Sequence, residues 1–288
     1  MNYQHQFHAG NAADCSKHLA LVLALELLGK KDKPLFFMDT HGGAGRYELR
    51  FAAEARQGVH RLWEQRRNLP ALGPWLDLLA RENPGGTLTS YLGSPLLAAR
   101  MLRPQDRMVV GELVPAVATR LRQELQRRPN TSVLAEDGYA LLRGHLPPRE
   151  GRGLVLIDPP YERADEWERL TEALLEARQR WPQGSFLLWY PRKNRAKIAR
   201  LWQDLRRQME FQVIELAFAE ESGVERMTGS GLCFIRPPWG LLDRLLPAYH
   251  AMGPCLSEAG YWGIQVQNFA KLPGSYGGKM AKEEKKGS

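Results

Sequence analysis

Cysteine is scarce in this chain. Cys15, Cys233 and Cys255 lie far apart and form no CxxC pair. That spacing argues against a disulfide framework or a cysteine zinc site and fits a reducing compartment. No apolar run reaches the length of a membrane span. Leu19 to Leu28 comes nearest to a secretory signal core, but Glu26 interrupts it and no small-residue cleavage site follows. Asp14 and Gly29 read as caps of a buried helix, so a mature cytoplasmic protein is expected. The dinucleotide spacing G-x-G-x-x-G is missing, and so is the Lys-Ser/Thr of a phosphate loop, which disfavours NAD and ATP. No internal repeat is found. Acidic residues are outnumbered, 32 against 40 basic, for a formal charge of +8. A basic balance suggests a polyanionic partner, RNA or DNA. A hydrophobic content of 43% in 288 residues supports one large domain, or a domain with an insertion.

Strands and helices alternate along the chain. A helix is expected from Asp14 to Leu28, then a buried strand Leu35–Asp39 running into Thr40-His41-Gly42-Gly43-Ala44-Gly45. From about residue 50 to 92 the apolar spacing is helical, broken into pieces by Pro70 and Pro74. Ser94-Pro95 opens a further helix, with Ser at the cap and Pro at the first helical position. Strands follow at Arg107–Glu112, Thr131–Ala135, Leu154–Ile157 and Ser185–Tyr190, with helices between them. A basic helix, Lys193–Gln208, leads to a strand at Phe211–Leu216, and Gly231–Ile235 closes the sheet. The pattern predicts an α/β fold with a mostly parallel sheet, an antiparallel strand near the C-terminal edge, helices on both faces and a small helical insertion. Residues 1–270 form the domain, residues 1–13 being a polar and aromatic arm. The Gly- and Lys-rich end, residues 274–288, is expected to be disordered.

Ligands of open α/β sheets bind beyond the carboxyl ends of the strands. Four such ends carry acids here. The first has Asp39 and a glycine loop that lets backbone approach a ligand closely. The second has Glu112, suited to ribose hydroxyls, although it stands much farther from the glycines than a dinucleotide fold would place it; the insertion accounts for the gap. The third has Asp137-Gly138, placed to accept from an adenine amino group. The fourth is Asp158-Pro159-Pro160-Tyr161. Its two prolines fix the backbone and remove N–H donors, so nearby carbonyls are free to accept from a ligand. A carboxylate and a carbonyl beside an aromatic ring suit the exocyclic amine of a nucleobase, and the chemistry suggested is attack by that nitrogen on a methyl donor. A single acid of this kind is usually a solvated turn residue; four at successive strand ends are not.

The motifs Asp39-Thr40-His41-Gly42-Gly43-Ala44-Gly45, Asp137-Gly138 and Asp158-Pro159-Pro160-Tyr161 resemble those of S-adenosylmethionine-dependent adenine-N6 methyltransferases with a Rossmann-like sheet. The run Tyr3 to Asn11 with Asp14, Lys17 and His18, together with Gly93-Ser94-Pro95, Trp189-Tyr190-Pro191 and Met227 to Gly231, is similar to the RlmJ family, which methylates adenine N6 in bacterial 23S ribosomal RNA. The similarity runs from about Tyr3 to Trp262. It implies S-adenosylmethionine contacts from His18, His41, Gly43, Ser94, Glu112, Asp137, Gly138 and Asp158. It implies that Asp158 serves the target amine and that Tyr3 meets the RNA. With it, Pro159 and Tyr161 are assigned to catalysis, Pro159 through its carbonyl and Tyr161 by stacking. His5 is read as covering the base, and Lys17 as either a phosphate contact or a solvated helix residue. Gln4 and Ala12 depart from the family pattern.

Three other readings bear on the same residues. His5 and His8 have His-x-x-His spacing, but no further ligands accompany them and no metal is assigned. A DNA adenine methyltransferase would use the same turn, yet needs sequence-reading elements larger than this insertion. A catalytically silent RNA-binding protein of the same fold would have no need of an intact Asp158 turn. Arg192, Lys193, Arg195, Lys197, Arg200, Arg206 and Arg207 form a candidate phosphate track that Arg61, Arg66 and Arg67 extend. A monomer with no obligate protein partner is expected.

Overall fold

A computed structural model describes residues 7–219, 227–257 and 260–272. Tyr3, His5 and the tail from Gly274 lie outside these residues. Helix α1 (Ala12–Gly29) is almost entirely buried over its first fourteen residues. Its cap is Asn11, whose side chain accepts from the Asp14 N–H; Asp14 sits in the first turn instead, and the helix runs through Gly29 to Lys30. Strand β1 (Phe36–Asp39) follows, then a short ribbon of β2 (Arg46–Glu48) and β3 (Ser90–Leu92), antiparallel with Tyr47 opposite Tyr91. This ribbon brackets the insertion, which contains α2 (Val59–Glu64), α3 (Gly73–Glu82) and four short 3-10 turns. Helix α4 (Ser94–Met101) starts from Gly93, so Ser94 lies one position inside the expected cap, with its hydroxyl on the side of the Asp39 carboxyl.

The remainder alternates as β4 (Arg107–Gly111), α5 (Pro115–Leu125), β5 (Thr131–Leu134), α6 (Gly138–His145), β6 (Gly153–Ile157), α7 (Glu166–Arg180), β7 (Ser185–Pro191) and α8 (Arg195–Arg206). It ends with β8 (Phe211–Ala217), β9 (Gly229–Ile235), α9 (Leu241–Leu256) and β10 (Gly263–Phe269). The main sheet has eight strands in the order β10-β8-β9-β7-β6-β1-β4-β5. The five strands from β5 to β7 are parallel. Two strands, not one, run against them: β9, which inserts between β7 and β8, and β10, which pairs with β8. Gly229–Ile235 therefore does not close the sheet; β10 does. This is the expected Rossmann-like arrangement of a mostly parallel sheet with helices on both faces.

Strand side chains alternate between two cores. Phe37, Val110 and Leu156 pack with α1, α4, α9 and the insertion on one face. Phe36, Met38, Val155 and Ile157 pack with α6, α7 and α8 on the other. Burial on both faces explains why these strands read as continuous apolar runs. From β1 the chain winds outward through β4 and β5, then returns to lay β6 on the opposite side. The reversal leaves a crevice between β1 and β6 at their carboxyl ends, where open α/β sheets hold ligands. Among the described residues no helix is long and apolar enough to cross a membrane.

Candidate active site

The crevice opens into a cleft of about 1440 Å³. His18, His41, Gly43, Ser94, Glu112, Asp137, Gly138 and Asp158, scattered over much of the sequence, all line it, as do Lys17, Pro159 and Tyr161.

At the end of β1, Asp39 is fully buried. One oxygen accepts from the His41 N–H at 3.1 Å, while Oδ2 has no partner. Burial pushes its carboxyl up to about 6, against the Ser94 hydroxyl and the His41 N–H, which favour the anion. His41 places Nδ1 2.7 Å from Thr40 Oγ1 and its ring edge-on to Tyr139. Burial lowers its pKa to about 4, so the imidazole is neutral near pH 7. Gly43 has φ +63, and a Cβ there would lie 2.3 Å from the Tyr47 hydroxyl. Its N–H donates to Glu112 Oε2 at 2.9 Å, and Oε1 of the same carboxylate accepts from the Val114 N–H at 2.8 Å. Glu112 is thereby fixed at the end of β4 while facing the cleft.

Asp137 caps α6, accepting from the N–H groups of Tyr139 and Ala140. Its other oxygen accepts from Arg169 at 2.6 Å. Burial raises its carboxyl, but Arg169 and the amides outweigh burial and hold it below the usual range. Gly138 is packed so closely on β1's exit that a Cβ would come within 2.2 Å of the Thr40 carbonyl oxygen. His18 is buried, with Nδ1 2.7 Å from the Tyr91 hydroxyl of β3.

At the end of β6, Asp158 keeps 17% of its side chain exposed, and Oδ2 accepts from Lys17 Nζ at 2.5 Å. Lys17 is neither solvated nor open to phosphate. It is 4% exposed and donates also to Asp14 Oδ1 at 2.8 Å, and its ammonium lies 5.7 Å from the centre of the Trp189 ring. Burial alone would favour neutral Lys17; Asp14 and Asp158 outweigh it and hold the ammonium charged. Tyr161 has φ +54, donates its hydroxyl to the Trp189 carbonyl at 2.7 Å, and packs its ring 4.7 Å from Trp167. One part of the ring is therefore already covered by the protein, and the rest faces the cleft.

The expected phosphate track is mostly engaged elsewhere. Arg192 and Arg195 both pair with buried Glu215, which also accepts from the Tyr190 hydroxyl. Lys197 donates to the Ala164 carbonyl, Arg207 pairs with Asp204, and Arg206 covers the Phe269 ring. On the insertion, Arg61 holds two carbonyls at the end of α9, those of Cys255 and Ser257, and Arg66 lies over Trp63. Lys193 of the run does line the cleft. Among the described residues no cluster of His, Cys, Asp and Glu could hold a metal; His8 pairs with Glu54. Arg169 as the partner of Asp137, and Glu54 and Gln57 in the cleft lining, carry no motif, because only tertiary folding brings them there.

The profile of the family described as RsmJ, ribosomal RNA large subunit methyltransferase D, RlmJ, matches residues 32–265. A protein of Haemophilus influenzae named ribosomal RNA large subunit methyltransferase J is 39% identical over 258 residues, covering 86% of this chain and 92% of its own length. Its namesake in Escherichia coli is 39% identical over 262 residues, covering 87% of this chain and 93% of its own length. A crystal structure of a Legionella pneumophila protein superposes with a TM-score of 0.86 at 33% identity, covering 92% of this chain and all of that one. With its motifs gathered into one cleft and relatives matched over nearly their whole length, this chain belongs to the RlmJ family of ribosomal RNA large subunit methyltransferases.

Proposed function

We propose that this protein transfers a methyl group from S-adenosylmethionine to N6 of an adenine in 23S ribosomal RNA, as a cytoplasmic monomer. The observation that carries the reading is Asp158: a carboxylate in a Pro-Pro turn, with one oxygen fixed by a buried ammonium, in a cleft lined by three further strand-end sites. The residues present fit the cofactor. Glu112 has lone pairs to spare for ribose hydroxyls. The tight packing at Gly43 and Gly138 brings backbone to the cleft wall. Asp39 holds a buried oxygen without a partner at the same strand end. When bound, S-adenosylmethionine supplies a methyl on a positively charged sulfur, an electrophile that needs no further activation.

The amine is the weak partner, because its lone pair is delocalised into the adenine ring. Asp158 Oδ1 and the Pro159 carbonyl accept its two N–H bonds, which draws electron density back onto nitrogen. Tyr161 stacks on the base. Lys17 holds Oδ2 and so fixes the carboxylate plane; alignment of nitrogen with methyl and sulfur is then the main contribution. Methylated nitrogen, before it loses a proton, carries a positive charge and gives the proton up readily. A carboxylate paired to an ammonium suffices to take it at Oδ1, so transfer precedes deprotonation. An adenine inside a helix must first be extruded, whereas a loop or bulge presents it directly.

The test is incubation with methyl-labelled S-adenosylmethionine and unmodified bacterial 23S RNA, followed by digestion and nucleoside mass spectrometry. N6-methyladenosine at one site is expected. Asp158→Ala should lower turnover by at least about a thousandfold, roughly 4 kcal/mol, while RNA binding stays within a few-fold. Label in duplex DNA but not in RNA would leave the chemistry standing and remove the substrate. RNA binding without label from either would favour the silent protein.

A further inference from the structure

The insertion meets the root of the N-terminal arm, and a line of side chains runs from that meeting to Asp158. The Val59 N–H donates to the Gly10 carbonyl at 2.8 Å. A Cβ on Gly58 would lie 2.0 Å from that same oxygen and 2.8 Å from the Cα of Asn11, so two backbones touch here with no room for a side chain. Next to this contact, the Glu54 carboxylate spans two arm residues. Oε1 lies 2.7 Å from His8 Nδ1, and Oε2 accepts from Asn11 Nδ2 at 2.9 Å. Asn11 Oδ1 accepts from the Asp14 N–H, and Asp14 accepts from the Gly10 N–H and from Lys17 Nζ. Lys17 in turn holds Asp158. His8, Asn11 and Glu54 all face the cleft.

We propose that Glu54 is a positioning residue for the reaction: with Gly58 it fixes the arm root at the substrate side of the cleft, so that RNA meets an arm already in place. The proposal rests on reading the cleft as a methyltransferase site for adenine in RNA. A half-exposed histidine–carboxylate contact contributes little to stability by itself, about 1 kcal/mol or less. Its leverage is geometric. One carboxylate closes two arm residues onto a backbone contact, and the second turn of the helix that follows carries the lysine that orients Asp158. The assigned cofactor contacts lie mainly at the strand ends, on other elements, so the effect should fall on RNA.

Hydrogen exchange over residues 8–11 and steady-state methylation of 23S RNA would be measured on the full chain, in the wild type and in Glu54→Ala, Glu54→Gln and Gly58→Ala. Glu54→Ala should speed exchange at Gly10 and Asn11 about tenfold and lower kcat/KM for RNA about tenfold, mainly through KM. Affinity for S-adenosylmethionine should stay within about twofold. Glu54→Gln still offers Asn11 an acceptor and should recover most of the loss. Gly58→Ala should act in the same direction more strongly, since the new Cβ displaces the Gly10 carbonyl. Unchanged exchange in Glu54→Ala overturns the clamp whether or not RNA is methylated. Faster exchange with unchanged kcat/KM overturns the positioning role. A wild type that methylates no RNA overturns the site reading and this role with it; an active wild type matched by Glu54→Ala overturns this role alone.

Discussion

Burial acts in opposite senses on two neighbours at the end of β1, pushing the Asp39 carboxyl up to about 6 and the His41 ring down to about 4. As pH rises from about 4 towards 6, folded Asp39 keeps a proton that the unfolded chain releases. Its contribution to stability is complete at low pH and is lost as pH rises through about 6. For His41 the unfolded ring is protonated below about 6.5 and the folded ring is not. Its contribution is complete above about 6.5 and is lost as pH falls through about 4. Each shift is worth at most about 3 kcal/mol, less for His41 because the cleft admits water, and in the wild type the two largely cancel. Asp39→Asn should therefore give a stability that climbs from about pH 4 to 6.5, and His41→Gln one that falls from about pH 4 to 6. Thermal unfolding at half-unit steps of pH distinguishes these slopes; the same slope in both variants would refute the assignment. Lys17 carries a related lesson. Its residue type and helical position allowed a solvent-facing role, and only the fold shows it closed in between Asp14 and Asp158.

Elements were legible where local pattern and tertiary environment agree. The parallel strands β1, β4, β6 and β7 are short apolar runs that stop at acids or turns, and each was placed from sequence. Strand β10 was not. Its residues Gly263 to Phe269 alternate, with Val266 exposed on an edge, and such a half-polar strand resembles a loop. Helix α9 was hidden by Pro247 and Pro254, which break a helix in most settings but are accommodated in this one. The position of β9 between β7 and β8 is a matter of long-range pairing that no local pattern encodes. The basic stretch from Arg192 shows the same limit in charge. Sequence gives its density, but Glu215, buried on β8, engages two of the arginines, Arg192 and Arg195, in ion pairs. RNA affinity should accordingly depend on Lys193 and little on Arg192 or Arg195. Lys193→Ala should reduce the slope of log K against log salt by about 0.7 to 0.9, the value of one phosphate contact. Filter binding of a 23S fragment over a salt series measures it, and an unchanged slope would remove Lys193 from the interface.

On the scale of the whole molecule, the cleft is assembled from the sheet, the arm root and the insertion, so a ligand filling it couples elements far apart in sequence. A ligand that binds only the folded protein stabilises it by RT ln(1 + [L]/Kd), about 2.7 kcal/mol at a hundredfold excess over Kd. For a chain of this length that corresponds to a rise in Tm of roughly 4 to 5 °C. S-adenosylmethionine should produce such a rise without RNA, because the residues assigned to it stand in the cleft already, with Glu112 held by two backbone amides. Glu112→Ala removes the acceptor assigned to the ribose and should weaken binding by about 1 to 3 kcal/mol, lowering the rise at the same cofactor concentration. Its effect on the free protein should be smaller, since the amides it releases face an open cleft. Differential scanning fluorimetry with cofactor, and with methionine as a control lacking the nucleoside, separates the two contributions. An equal rise in wild type and Glu112→Ala would place the ribose elsewhere, and no rise at saturating cofactor would show that the cleft is incomplete until RNA arrives.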